Sequence, residues 1–160
     1  MKRNILISGS SRGIGRSIAE RALKEGHRIS LGVREPRDME GTILDPEVSG
    51  HDKILIHKYD AFNPNDAENW VKESLKRFKK IDTVINSAGI FNNVGFIFKQ
   101  EEESKIEDLW RVNTMGPWIL TKALWNELSK HGEGRVIVIV SMSGKRSKGN
   151  LAGYSMSKFA

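Results

Sequence analysis

Five short apolar runs constrain this chain more than any other feature. "NILIS" (4–8), "RISLGV" (28–33), "KILIHKY" (53–59), "IDTVINS" (81–87) and "RVIVIVS" (135–141) are rich in Ile and Val and lack strict alternation with polar residues. A strand with one wet face alternates, whereas runs like these suit a parallel sheet covered on both faces. Helical periodicity fills the gaps. In 13–26, Ile14, Ile18, Ala19, Ala22 and Leu23 form one stripe that Gly26 ends. In 64–79, Asn63 is placed to cap, Pro64 suits the first turn, and Trp70, Val71, Leu75 and Phe78 form the buried face. The segment 103–131 carries Ile106, Leu109, Trp110, Ile119, Leu120, Ala123, Leu124 and Leu128, and a last helix starts near Ala152. The stretch 35–52, with two prolines and two glycines, reads as a loop with a short helix. Strands alternating with helices predict an α/β fold: a doubly wound parallel sheet with helices on both faces.

Composition narrows the function classes. The chain contains no cysteine, so disulfides, thiolate metal sites and cysteine nucleophiles are excluded. His27, His51, His57 and His131 show no metal-ligand spacing, and no metal is expected. The apolar run near the N-terminus extends only from Ile5 to Ile7, too short for a secretion signal, and no run approaches a membrane span. These features predict a soluble, cytoplasmic protein with no membrane partner. The net charge of +6 comes from Lys and Arg scattered along the chain, which argues against nucleic acid and leaves room for a small anionic ligand. The basic stretch "GKRSKGN" (144–150) and "KQEEESKIED" (99–108) read as solvated loop segments.

The stretch "SGSSRGIGRSIAE" follows the first strand and opens the first helix. Its spacing, Gly9-x-x-x-Gly13-x-Gly15, sits in the context where glycines let backbone approach a ligand and let the helix pack on the strand. The helix N-terminus then offers free N–H groups and a positive dipole end to a pyrophosphate. Gly9, Ser11, Arg12, Gly13, Ile14 and Gly15 are therefore expected to bind a dinucleotide. The second strand ends "LGVRE", placing Arg34 where an NAD site usually carries an acidic residue against the ribose. An arginine binds a 2′-phosphate that a carboxylate would repel, and Arg12 could reach the same group. NADP(H) is the expected cofactor; Glu35 keeps NAD(H) open.

The motifs taken together resemble the short-chain dehydrogenase/reductase family in its compact form, closest to 3-oxoacyl-carrier-protein reductases and carbonyl reductases. "SGSSRGIG", "YDAFN", "INSAGI", "RVNTMGP", "VIVSMSG" and "YSMSK" match in that order, from end to end. The resemblance implies that Asp60 and Ala61 border the adenine, and that Asn86, Ser87, Ala88 and Gly89 lie beside the cofactor. Ser87 replaces a usual asparagine, and Ser8 a usual threonine. It also implies a catalytic set of Asn113, Ser141, Tyr154 and Lys158. The parent of such a chain would be a homodimer or homotetramer, using the 103–131 helix and the last helix.

That set can do carbonyl chemistry. Hydride transfer to a ketone builds negative charge on oxygen, which must be polarised and protonated. The i,i+4 spacing puts Lys158 on the face of Tyr154, where an ammonium favours phenolate over an ordinary phenol with a pKa near 10. Lys158 could also hold the nicotinamide ribose. Tyr154 would donate or accept the proton, and Ser141 would hydrogen-bond the substrate oxygen. Pro117, four residues after Asn113, has no N–H to give the Asn113 carbonyl, so a kinked helix is expected, with that carbonyl free to bind a water; the resemblance implies that such a water links Asn113 to Lys158 and feeds a proton relay. Ser143 reads as a loop residue. The substrate class is a small carbonyl or alcohol; the alternative is a dinucleotide-binding module without turnover. Family members continue past the Tyr-x-x-x-Lys helix, so residues 1–160 are expected to form a Rossmann-type domain incomplete at its C-terminus, with further strands missing and an apolar sheet edge at 135–140.

Overall fold

The computed structural model describes residues 2–95, 102–130, 132–146 and 148–160. Its five strands are β1 (Asn4–Ser8), β2 (Arg28–Val33), β3 (Ile54–Lys58), β4 (Thr83–Asn86) and β5 (Arg135–Val138). All pair in parallel in the order β3-β2-β1-β4-β5. The helices are α1 (Gly13–Lys24), the single turn α2 (Pro46–Ser49), α3 (Pro64–Phe78), α4 (Glu102–Trp110), α5 (Gly116–Ser129) and α6 (Ala152–Phe159). The chain leaves β1 toward β2 and β3 on one side, then crosses to β4 and β5 on the other. The order therefore reverses between β1 and β4, and the carboxyl ends of these two strands open a crevice, the place where open α/β sheets bind ligands.

The period-2 pleat sorts the core into two layers. Ile5 and Ile7 of β1 face α1 and pack with Ala19, Ala22, Leu31 and Val33. Leu6, between them, faces α3 and α5 and packs with Trp70, Val71, Leu120 and Leu124. Both faces of β1 are buried, which is why its sequence does not alternate. Asp82, nearly buried before β4, accepts from Arg3 Nη1 at 3.1 Å, Asn4 N–H at 3.2 Å and Thr83 Oγ1 at 2.9 Å, tying β1 to β4 at the end opposite the crevice.

Most expected elements form, with ends trimmed. Asn63 caps α3 by accepting from Asn65 N–H, with Pro64 in the first turn. The 35–52 stretch holds a 3-10 turn (Pro36–Met39) and α2. The segment 103–131 is not one helix: a wider π-helical stretch, Arg111–Met115, separates α4 from α5, and Gly116 N–H donates to Arg111 C=O. The break expected from Pro117 thus takes the form of a widened turn ahead of the proline. The fifth strand is shorter than its apolar run, and as the sheet edge it leaves Val136, Ile137 and Val138 exposed, with Val140 beyond them. No helix among the described residues is long and apolar enough to cross a membrane. His131, Ser147 and residues 99–101 of the acidic segment lie outside the described residues.

Gly32, inside β2, has a packing reason. A Cβ there would stand 2.5 Å from the Trp70 indole. Trp70 is fully buried, donates from Nε1 to Ser30 Oγ at 2.8 Å, and is fixed further by Ser74 Oγ, which contacts both Ser30 Oγ and Trp70 C=O at 2.7 Å. The indole therefore cannot yield. Replacing Gly32 with Ala is expected to destabilise the chain by about 1–3 kcal/mol through overpacking; an unchanged urea midpoint would refute the packing argument.

Candidate functional site

The crevice between β1 and β4 is a cleft of about 280 Å³. One wall is the glycine turn: Gly9, Ser11, Arg12, Gly13 and Ile14 line it. Arg34 and its neighbours Gly32 and Val33 line the β2 side, Asp60 and Ala61 follow β3, and Ser87, Ala88 and Gly89 follow β4. Eleven residues singled out from the sequence as dinucleotide contacts thus share one cavity. Gly15 and Asn86 do not line it. Gly15 lies behind the turn, where a Cβ would be 2.3 Å from Gly9 C=O. Asn86 is buried toward α5, donating from Nδ2 to Thr121 Oγ1 at 3.2 Å, and its Oδ1 has no hydrogen-bond partner among the described residues.

The three glycines of the turn divide the work. Gly9 adopts φ +67°, and a Cβ on it would meet Ala88 backbone at 2.7 Å. Gly9 and Gly15 are therefore packing glycines. Gly13, at φ +58°, has nothing within 4 Å of the position a Cβ would take, so it is the one that leaves room for a ligand. No side chain caps the N-terminus of α1. Its first-turn N–H groups remain available to an anion, and the donor set fits a dinucleotide pyrophosphate.

Asn113, Tyr154 and Lys158 meet the loop after β4, whereas Ser141 stands in the turn after β5. Asn113 is buried in the π-helical stretch. Its Oδ1 accepts from Ile90 N–H at 2.9 Å, and its Nδ2 donates to Ile90 C=O at 2.9 Å and Ser157 Oγ at 3.0 Å. Ser157 Oγ donates to Tyr154 C=O at 2.8 Å, and Thr114 Oγ1 donates to Ser157 C=O at 3.1 Å. Phe91, the next residue of that loop, meets the Tyr154 ring edge-on with centroids 4.9 Å apart. Lys158 Nζ donates to Ile139 C=O at 3.3 Å and lies 3.8 Å from where a Gly89 Cβ would be. Ile139 and Gly89 both line the cleft, so the ammonium reaches its wall. Ser141 Oγ accepts from Ser143 N–H at 3.2 Å, capping the 3-10 turn Met142–Gly144, and Gly144 packs against Lys158 C=O.

Some residues of the quoted motifs line the cleft without a role assigned from the sequence: Tyr59 and Phe62 of "YDAFN", Ile90 of "INSAGI" and Val112 of "RVNTMGP". The signal for Ser157 was present: it stands three after Tyr154, on the same helix face, but a serine at that spacing looks like filler until Asn113 is seen against it. Burial pushes the Tyr59 hydroxyl pKa up, and Asp60 and Asp66 add to the rise. Among the described residues no metal-holding cluster of His, Asp and Glu occurs.

Lys158 is half-buried, and desolvation lowers its pKa from the ordinary 10.5. The unfolded chain therefore holds this proton to higher pH than the folded one. Between the two values the unfolded state binds more protons, so stability rises with pH. The cost of burying the charge is present at neutral pH and is relieved as pH rises through the lowered value. The difference in urea midpoint between the parent and Lys158→Met should move in the parent's favour between about pH 7 and about pH 10. A constant difference would contradict this reading.

Comparison with known proteins agrees with this geometry. The family described as short chain dehydrogenase matches residues 3–160. The chain is 35% identical to the agropine synthesis reductase of Rhizobium rhizogenes, over 98% of this chain and 35% of that protein. It is 25% identical to the 3-oxoacyl-[acyl-carrier-protein] reductase of Synechocystis, over 96% of this chain and 61% of that one. It superposes on an alcohol dehydrogenase of the archaeon Thermococcus sibiricus complexed with 5-hydroxy-NADP, with TM-score 0.89, 28% identity, and coverage of 100% of this chain and 67% of the other. The chain thus spans about a third of the length of the first of these relatives. With that match along nearly its whole length, and with the glycine turn, the β1–β4 cleft and the Tyr-x-x-x-Lys helix in one arrangement, the chain belongs to the short-chain dehydrogenase family.

Proposed function

We propose that this chain is the cofactor-binding part of an NADP(H)-dependent oxidoreductase that moves hydride between a nicotinamide and a small carbonyl or alcohol. The observation that carries this reading is the position of Lys158: its ammonium stands at the wall of the same cleft that the glycine turn and Ser87–Gly89 line. A bound nicotinamide dinucleotide supplies the hydride. Arg12, Gly13 and Ile14 would hold the pyrophosphate at the α1 N-terminus, Arg34 and Arg12 would face the 2′-phosphate, and Asp60 and Ala61 would border the adenine. Lys158 would bind ribose hydroxyls, on the same helix face as Tyr154. Tyr154 would exchange the proton with the substrate oxygen, which Ser141 would polarise by donating its O–H, left free because the Oγ only accepts from Ser143 N–H. Asn113 would support the proton relay through its backbone carbonyl, while its side chain fixes Ile90 and Ser157. A solved neighbour complexed with an NADP derivative supports NADP as a cofactor, and the choice over NAD rests on Arg12 and Arg34.

A second reading, a module that binds the dinucleotide without turnover, rests on the exposed apolar side chains of Val138 and Val140 beside Ser141. Among the described residues, nothing covers substrate there. The two readings separate in one experiment. With NADPH and a panel of ketones and aldehydes, Tyr154→Phe is expected to slow reduction by at least about 100-fold while leaving NADPH affinity within about threefold. Equal rates for parent and variant would sink the catalytic role. Tight NADPH binding with no turnover by the parent would establish the module.

We also infer a homodimer formed through α5. Trp118 and Trp125, seven apart and more than half exposed, share one face of that helix, and Lys122 Nζ lies over the Trp118 ring at 5.1 Å. Exposed aromatics clustered on one face mark interfaces, and a second copy brings the same face. Sedimentation should give a dimer mass for the parent and a monomer for Trp125→Glu; a parent that remains monomeric at about 100 μM would rule the interface out.

A further inference from the structure

Next to the cleft, outside the glycine turn, a second recess of about 490 Å³ gathers Arg12, Arg34 and Lys58 with Glu35, Asp38 and Asp60. The three cations come from different elements. Arg12 immediately precedes α1, Arg34 follows β2, and Lys58 is the last residue of β3, in register with Val33. The pleat sets the direction of Lys58: Ile54 and Ile56 pack on the α1 side of the sheet, whereas Leu55 and Tyr59 pack on the other. Lys58 therefore belongs to the α1 face, toward Arg12.

Some cations of this chain are held in ion pairs, as in Arg3–Asp82, Arg16–Glu20 and Arg21–Glu25. Within this recess none of the three cations forms an ion pair with any of the three carboxylates. Asp60 is instead turned onto its own loop, accepting from Phe62 N–H at 3.0 Å. Converging cations without partners suit a phosphomonoester.

We propose that Lys58 is a specificity-determining residue for the 2′-phosphate of the cofactor, acting with Arg12 and Arg34. This inference rests on the NADP reading above and extends it to a residue outside the glycine turn and the end of β2. The charge balance gives the reason. With Lys58 the recess holds three positive and three negative side chains; without it, two arginines face three carboxylates, and a phosphate meets net repulsion. Lysine offers a point charge rather than a fork, so it offsets Glu35 and Asp38 while the arginines supply direction. A ribose without the phosphate gains nothing from it.

The test compares two probes on the intact chain by calorimetry at about 50 mM salt: adenosine 2′,5′-bisphosphate and adenosine 5′-monophosphate. Lys58→Gln is expected to weaken the bisphosphate by about three- to tenfold and leave the monophosphate unchanged within about twofold. Lys58→Arg should retain the parent's preference. Lys53→Gln, the same charge change in the turn just before β3, should alter neither probe. Circular dichroism of Lys58→Gln should match the parent, since this side chain is exposed. Equal losses for both probes, an effect matched by Lys53→Gln, or no loss at all would overturn the role of Lys58 while leaving the NADP reading intact. A parent that binds the bisphosphate no better than the monophosphate would overturn the NADP reading and this inference with it.

Discussion

The close seating of the glycine turn on the loop after β4 is the constraint on which the rest of the site depends. Ser8 Oγ, at the end of β1, accepts from Ser87 N–H at 3.1 Å and Ala88 N–H at 3.2 Å. Gly9 then lies against Ala88 with no space for a Cβ, and Gly15 brings α1 onto Gly9 in the same way. These contacts draw the carboxyl ends of β1 and β4 together at the point where the sheet order reverses. The crevice is therefore narrow at its floor, and the uncapped N-terminus of α1 points along one wall. A methyl group at either glycine would open this joint and move the anion-binding end of the helix away from the loop that faces it.

A second joint carries the opposite wall. Asn113 sits in the widened turn between α4 and α5 and clamps both backbone groups of Ile90. The same side chain reaches Ser157, whose hydroxyl is bonded to Tyr154 C=O. One buried amide thus links the β4 loop to the helix that bears Tyr154 and Lys158. Buried amides satisfied on both ends act as rigid spacers, because leaving either end unpaired costs more than the bond gains. The joint fixes where α6 stands relative to the cleft, with Lys158 Nζ beside Gly89 at its wall. The π-helical geometry belongs to this arrangement: it carries Asn113 in the stretch immediately before the proline-containing helix.

Much of the architecture was legible before the fold was seen, for a physical reason. Strands buried on both faces leave continuous Ile and Val runs, amphipathic helices leave stripes, and a turn that must pass close to a neighbouring loop leaves glycines. Features governed by partners distant in sequence were not legible. Gly32 looked like an ordinary residue of a strand until Trp70, 38 residues later, was found against it. Asn86 belongs to the motif beside the cofactor, yet its side chain turns away from the cleft toward Thr121. The helix drawn over 103–131 is divided, since periodicity reports which face is buried and says little about the number of residues in each turn. Lys58 carried no motif at all; only the pairing of β3 with β2 sets it beside Arg34.

The sequence by itself determined the class of fold, the strand-to-helix site of the glycine turn, and the spacing that puts Tyr154 and Lys158 on one helix face. All three depend on local geometry, on the period of a strand, the pitch of a helix, or the freedom of a glycine, and local geometry is written in neighbouring residues. Only the tertiary structure decided which glycines pack and which one leaves room, that Asn113 serves as a brace between Ile90 and Ser157, and that three unpaired cations from separate elements meet in one recess. Those outcomes depend on contacts between segments far apart in the chain, and such contacts exist only after the sheet has set its order and register.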